Sequence, residues 1–332
     1  MGKIRKKGIF FTFIAVTIMT IFILIFTPQV DYSLRKDSQA LNARIGNVNG
    51  YINDLEGNYL KSVMMATGSK TLLSLALYMN STGSYLSNFD AVFQEVFVNG
   101  TINNVRIDSI TNKDIMVNNT FTNWSNKIIK LASDTLKVNT TIVVENASAT
   151  QTSPWDIDLI LRVNLSVKSN LAEWNKISTI TTSMSIEGFY DPYYIVNTNG
   201  LYGKKIRRTN TIPSQWNITY VRYHLRNGTY VYWTNPDAPS YLMRFSNNII
   251  PSNCCGIESI VNPNLITPSD LMDSDVDYIL WNSADNTPCS ELYKLTNPIT
   301  GGGIWDEFMY VKLDFEHLVK YNVTSNHAVR AC

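Results

Sequence analysis

Residues 155–168 read WDIDLILRVNLSVK. Trp155, Ile157, Leu159, Leu161, Val163, Leu165 and Val167 alternate with Asp156, Asp158, Arg162, Asn164, Ser166 and Lys168, and Ile160 is the one apolar residue on the polar face. A period of two places one face in a core and the other in water, as in an antiparallel strand open on one side. Val138 to Val144 before it reads as a second strand, and Ile180, Thr182, Met184 and Ile186 after it as a third. Upstream the period becomes helical. Ser87 or Asn88 caps a helix with Asp90 in its first turn. Phe89, Val92, Phe93, Val96 and Phe97 keep one face, and Asn99-Gly100 stops it. A further helix fits 121–136, with Trp124, Ile128, Leu131 and Leu136 inward. Helices packed on an antiparallel sheet make residues 81–190 an α+β head.

Further upstream, residues 37–63 carry Leu41, Ile45, Val48, Ile52, Leu55 and Tyr59 at alternating spacings of four and three, a heptad stripe. Gly46, Gly50 and Gly57 weaken this helix by about 1 kcal/mol each relative to Ala. The stripe suits the protein's own head, or neighbouring copies. From Val63 to Met79 the sequence turns broadly apolar and reads as a buried helix; Lys61 and Lys70 exclude a membrane span there. Ile9 to Thr27, IFFTFIAVTIMTIFILIFT, holds no charge. Its length matches the roughly 20 apolar residues that cross a bilayer core as a helix. Lys3, Arg5, Lys6 and Lys7 precede it, a flank that stays cytoplasmic and sends the rest outside. The expected order is a basic leader 1–8, a transmembrane helix 9–27, a membrane-proximal helical stalk 28–80, the head 81–190, and a loop-rich second part 191–332. The span ends in Phe26-Thr27-Pro28-Gln29 without a small-x-small cleavage site, so a retained anchor is expected.

Hydrophobic content of 45% is that of a folded chain. Charged content is only 17%, which suits a polar outer-face surface. A net charge of +1 gives no field to attract nucleic acid. Residues 188–212 read as loops and short strands. Residues 215–226 fit a helix or a hairpin arm before Asn227-Gly228, and Tyr230 to Trp233 reads as a strand. Phe308 to Phe315 is strand-like, with a short helix near Glu316–Tyr321. Cys254, Cys255, Cys289 and Cys332 permit two disulfides outside the cytoplasm. Adjacent cysteines rarely bond to each other. Cys254 and Cys255 are therefore expected to pair with Cys289 and Cys332, in either combination.

Motifs for chemistry are weak. Thr67-Gly68-Ser69-Lys70-Thr71 lacks the phosphate-loop spacing, and Gly301-Gly302-Gly303 has no following helix signature. His224, His317 and His327 are isolated, so zinc finds no ligand set. Asp273, Asp275 and Asp277 alternate as calcium ligands do, but Tyr278 and Ala284 stand where an EF-hand needs Gly and Glu. Lys204, Lys205, Arg207 and Arg208 form a basic cluster, expected at an exposed hairpin tip. No cofactor, metal or catalytic set is expected, and the chain is read as a non-enzyme. Ten Asn-x-Ser/Thr sequons mark glycosylation candidates: Asn80, Asn99, Asn118, Asn123, Asn139, Asn146, Asn164, Asn217, Asn227 and Asn322.

The leader ends Lys6-Lys7-Gly8-Ile9 and opens directly into the apolar run. This resembles the class III (prepilin-like) signal of archaeal surface proteins, which implies cutting between Gly8 and Ile9 with the helix retained. Pro28 sits where type IV pilin helices kink. Phe13 departs from the pattern, since many pilins carry Glu there, and this bears on filament assembly more than on cleavage. Residues 186–194 (IEGFYDPYY), 238–245 (APSYLMRF), 256–259 (GIES) and 274–278 (SDVDY) are similar to a group of such surface proteins. The resemblance implies location and architecture, and no chemistry. The expectation is an anchored, pilin-like structural or interaction subunit. Its partners would be the lipid membrane through 9–27 and other copies through the stalk. The alternative is a surface binding module for a glycan or an envelope partner, which calls for a concave aromatic patch. An enzyme would instead show buried, converging polar groups.

Overall fold

One helical rod leads into the fold. The computed structural model describes residues 17–18, 38–170, 172–235, 237–262, 274–282, 288–295, 311–323 and 327–332. Helix α1 (Ser38–Asp54) passes through one π turn (Leu55–Tyr59) into α2 (Leu60–Thr82), where Gly83 ends it in the left-handed conformation. At 1.5 Å per residue the rod is about 67 Å long. Among the described residues no helix is long and apolar enough to cross a membrane. Gly8, Ile9 and the segment 9–27, apart from Thr17 and Ile18, lie outside them.

The heptad stripe is used within the chain. Val48 packs with Ala132, Val138 and Val167, and Tyr51 and Ile52 join that cluster. Leu55 belongs to the main core, with Tyr59 against it. The Leu41 side chain lies outside the described residues. The part expected as a stalk is, from Leu60 on, the central helix of the head: Leu60, Val63, Met64, Leu72, Leu75, Ala76 and Met79 are buried.

After the rod come α3 (Phe89–Asn99), a small hairpin β1 (Thr101–Ile102) and β2 (Val105–Arg106), α4 (Ile107–Thr111) and α5 (Phe121–Leu136). Asn88 caps α3 by accepting from the Ala91 amide, and Gly100 ends it at φ +74°. On α5 the inward face is Phe121, Ser125, Ile128 and Ala132; Leu131 faces solvent instead of the core. The pleated layer is a meander, β3 (Asn139–Thr150), β4 (Asp156–Lys168) and β5 (Glu173–Ser185), antiparallel in the order β3-β4-β5. A bulge interrupts β3 between Val144 and Asn146. The alternation of β4 holds along its length, with Ile157, Leu159, Leu161, Val163, Leu165 and Val167 all buried. Helices α2, α3 and α5 lie on that face. Helix and sheet approach closely at Gly68, where a Cβ would overlap Leu159 Cδ1.

The C-terminal half is built from short pieces: α6 (Pro192–Asn197), α7 (Ile218–Asn227), α8 (Asp277–Leu280), the three-stranded set β6 (Leu292–Leu295), β7 (Lys312–Asp314) and β8 (Ala328–Arg330), and α9 (Phe315–Lys320). Two sequence expectations change here and one open alternative resolves. Residues 192–197, expected as loop or strand, are helical because Asp191 caps them and Pro192 stands at the first helical position. Tyr230 and Val231 make isolated bridges and no strand. The ambiguity at 215–226 resolves to helix, since the Asn217 side chain accepts from the Thr219 and Tyr220 amides. The change of texture near residue 190 does not divide the core. Leu159 and Phe93 share one cluster with Tyr194, Tyr230, Tyr241, Phe245 and Ile257.

The cysteines pair differently from expectation. Cys254 bonds Cys255, with Cα atoms 3.7 Å apart, and Cys289 bonds Cys332 across 43 residues of sequence, with Cα atoms 5.7 Å apart. The first pair sits in the turn at 253–255 and the second joins the start of the β6 region to the last residue, so neither bond crosses between the two regions as expected.

Candidate functional site: a buried charge network

The densest chemistry in the molecule is inside it. Asp191, Arg244, Asp277 and Ser259 are all fully buried. The Asp191 carboxylate stands at the start of α6, Arg244 on a single 3₁₀ turn (Met243–Ser246), and Asp277 at the first residue of α8. Arg244 Nη1 donates to Asp191 Oδ2 and to Asp277 Oδ2, both at 2.8 Å, and Nη2 donates to the Ile257 carbonyl. Tyr230 OH donates to Asp191 at 2.7 Å, and Ser259 Oγ to Asp277 at 2.7 Å. Tyr194 OH meets Ser259 Oγ at 3.0 Å and accepts from Lys204 Nζ at 2.9 Å. Lys204 also lies over the Tyr194 and Tyr230 rings, 4.4 and 4.5 Å from their centroids.

A second group adjoins the first. Glu258 accepts from Trp233 Nε1 at 2.8 Å and Tyr321 OH at 2.7 Å, and faces His317 Nε2 at 3.4 Å. His317 Nδ1 lies 2.9 Å from Asp314, which also caps α9. Lys320 pairs with Asp237 and, at 3.2 Å, with Glu316.

Burial and charge compete at each group. Burial disfavours the charge on Arg244, but Asp191 and Asp277 outweigh it and hold the guanidinium well above its ordinary value. Burial raises the Asp277 carboxyl, against the pull of Arg244. Burial lowers Lys204 to about 7, with Asp277 and Asp191 resisting. Burial would lower His317, yet Glu258 and Asp314 bring it up to about 10. Burial would raise Glu258, yet His317 takes it down to about 2. His224, buried beside Lys204, is lowered to about 3 and is neutral at ordinary pH, with Nδ1 2.7 Å from Thr229 Oγ1.

The network answers the mark set for an enzyme in one respect: its polar groups converge. They are also sealed. Ser259 and Asp277 have no exposed surface, Tyr194 is 1% exposed and Lys204 4%. A serine beside a carboxylate and a tyrosine beside a lysine make a relay of hydrogen bonds closed to solvent. What this arrangement does is bind the loops that supply it to one another. Comparison with family models, curated proteins and solved structures returns no match.

Two clefts lie elsewhere. A groove of about 610 Å³ runs between the rod and β5, lined by Asn53, Glu56, Gly57, Lys61 and residues 176–181, with Glu56 bonded to Lys176 and Ser178. It has no aromatic wall. A smaller cleft of about 190 Å³ includes Asn99, Arg106, Asp108 and Thr120. The aromatic residues expected as a binding surface fill the core: Trp216, Tyr193, Tyr194, Tyr230, Tyr241 and Tyr321 are each under 2% exposed.

The remaining sequence candidates fall as follows. Lys204 leaves the expected exposed basic cluster for the core, while Lys205, Arg207 and Arg208 remain outside. Thr67 to Thr71 form the middle of α2, which rules out a phosphate loop there. Asp277 is engaged with Arg244 and cannot face a calcium ion; Asp273 and Gly301 to Gly303 lie outside the described residues. Among the described residues no group of three or more His, Cys, Asp or Glu is placed to hold a metal. Of the sequon asparagines, Asn80, Asn99, Asn118, Asn139, Asn146, Asn164, Asn217, Asn227 and Asn322 are exposed and Asn123 is half-buried.

Proposed function

We propose that this chain is a membrane-anchored extracytoplasmic cell-surface protein, a pilin-like structural or interaction subunit without enzymatic activity. The observation that carries the reading is the rod. Its second half is the core helix of an α+β head, clamped on an antiparallel sheet, and its first half, packed on the head from Val48 onward, follows the apolar segment 9–27 in sequence. A helix so embedded transmits position from an anchor to a rigid display domain. The stripe at Val48 to Tyr59 is occupied by the chain's own head, so contacts between copies fall to the segment upstream of Val48. The binding-module alternative has less support, because its aromatic residues are core and the large groove is polar and lacks them.

The test is the intact mass of the full chain made with and without an archaeal prepilin peptidase. Loss of residues 1–8 supports the pilin-like pathway. An unchanged N-terminus in a membrane-bound protein refutes it and leaves a plain signal anchor.

A further inference from the structure

Among the described residues the outer face of the β3-β4-β5 sheet has no covering layer; α2, α3 and α5 all lie on the other side. Its centre is a single cross-strand row, Val143 on β3, Asn164 on β4 and Ile177 on β5. Val143 and Ile177 are 53% and 54% exposed, unusual for branched apolar side chains on an open sheet. Asn164 stands exposed between them and heads the sequon Asn164-Leu165-Ser166. Ser166 shares its face, two residues along the strand.

Three other sequons are committed to the fold. Asn322 Nδ2 donates to the Trp216 carbonyl at 2.9 Å. Asn123 is half-buried, and its Oδ1 accepts from Thr120 at 2.6 Å. Asn217 Oδ1 caps α7. Asn164 has no such duty, and it alone is flanked in register by two exposed apolar side chains.

We propose that Asn164 carries an N-linked glycan whose first sugars lie across Val143 and Ile177. This rests on the extracytoplasmic reading above. The donor class is an oligosaccharide joined through its anomeric carbon to a lipid phosphate. The Asn164 amide nitrogen bonds to that carbon, the carbon–oxygen bond to the phosphate breaks, the lipid phosphate leaves with the electron pair, and the amide gives up one proton. No oxidant or reductant enters. The apolar C–H faces of pyranose rings match the Val143 and Ile177 side chains, while the hydroxyls keep the flat sheet hydrated and hinder face-to-face association.

The experiment is site-by-site glycan occupancy on the full chain, produced in a eukaryotic secretory host and digested to peptides. A companion Ser166→Ala chain keeps Asn164 but removes the acceptor signal, and Ser166 makes no hydrogen bond that folding would miss. The expected result is sugar on the Asn164 peptide and loss of that glycan's mass in S166A. Carbene footprinting should show labelling of Val143 and Ile177 rise about two-fold or more after enzymatic removal of the sugar. Sugar at other sequons with Asn164 bare overturns the proposal alone. All ten sequons bare overturns it together with the extracytoplasmic reading. Unchanged footprinting after deglycosylation overturns the stacked placement.

Discussion

Replacing Arg244 with methionine tests whether the buried network holds the C-terminal half together. The change keeps side-chain bulk and removes the guanidinium that sits 2.8 Å from both Asp191 and Asp277. Two carboxylates then remain fully buried beside tyrosines, without their cation. Breaking a buried pair by deleting one partner costs about 3–5 kcal/mol, because the other charge stays desolvated. A loss of that size is a large part of the ~5–15 kcal/mol that a domain commonly has. The assay is urea unfolding of the detergent-solubilised full chain, followed by fluorescence; Trp281 packs edge-on against Tyr194 at 4.6 Å and reports on the site. The pH dependence gives a second reading. Burial already raises the Asp277 carboxyl against the pull of Arg244; without that guanidinium the carboxyl is raised further above its unfolded value, so R244M recovers stability relative to wild type as the pH falls below neutral. A loss below about 1 kcal/mol with no such recovery refutes the argument that this guanidinium balances the core.

The Glu258–His317 pair makes a pH window. Glu258, taken from 4.5 down to about 2, adds stability that is present above pH 4.5 and lost as the pH falls toward 2; His317, brought from 6.5 up to about 10, adds stability that is present below pH 6.5 and lost as the pH rises toward 10. Thermal unfolding should be most resistant between about pH 4.5 and 6.5 on this account, and H317Q should flatten the alkaline side; an unchanged alkaline side disproves it. Gly68→Ala forces a methyl group into Leu159 and should cost about 1–3 kcal/mol, whereas Gly46→Ala, with open space around it, should be neutral or stabilising in the same urea titration. A non-reducing digest with trypsin and a glutamate-specific protease should release Cys254 and Cys255 on one unlinked peptide and join Cys289 to the C-terminal Ala331-Cys332; any cross-link from the first peptide to the second contradicts the observed pairing.

The head was legible wherever a period was long. β4 shows its two faces residue by residue, and α3 announces both ends with Asn88 and Gly100. Leu131 was misplaced because the α5 face drifts: Phe121, Ser125, Ile128 and Ala132 define it, and a buried serine does not register as apolar. The C-terminal half was opaque because its elements span three to ten residues, too few for a period to form. The network left no motif, since its members come from phrases separated by tens of residues. A signal existed all the same. Asp191 in FYDPYY, Arg244 in YLMRF and Asp277 in VDYIL are each a single charge with apolar neighbours on both sides, and Glu258 in GIESI follows an isoleucine and precedes an uncharged serine. Such a charge is drawn inside with its neighbours and must find a partner there. The same four phrases carry the resemblance noted in the sequence, and the structure gathers them at one place.

That gathering sets an order of events during biogenesis. The meander pairs strands that follow one another in sequence, whereas the network joins positions 33 residues apart between Arg244 and Asp277, 53 between Asp191 and Arg244, and 65 between Tyr194 and Ser259. Contacts of such separation form late. A chain threaded N-terminus first would have its sheet assembled while Asp191 and Arg244 still waited, solvated, for Asp277. The network is therefore expected to close after the meander, and only once Asp277 has emerged.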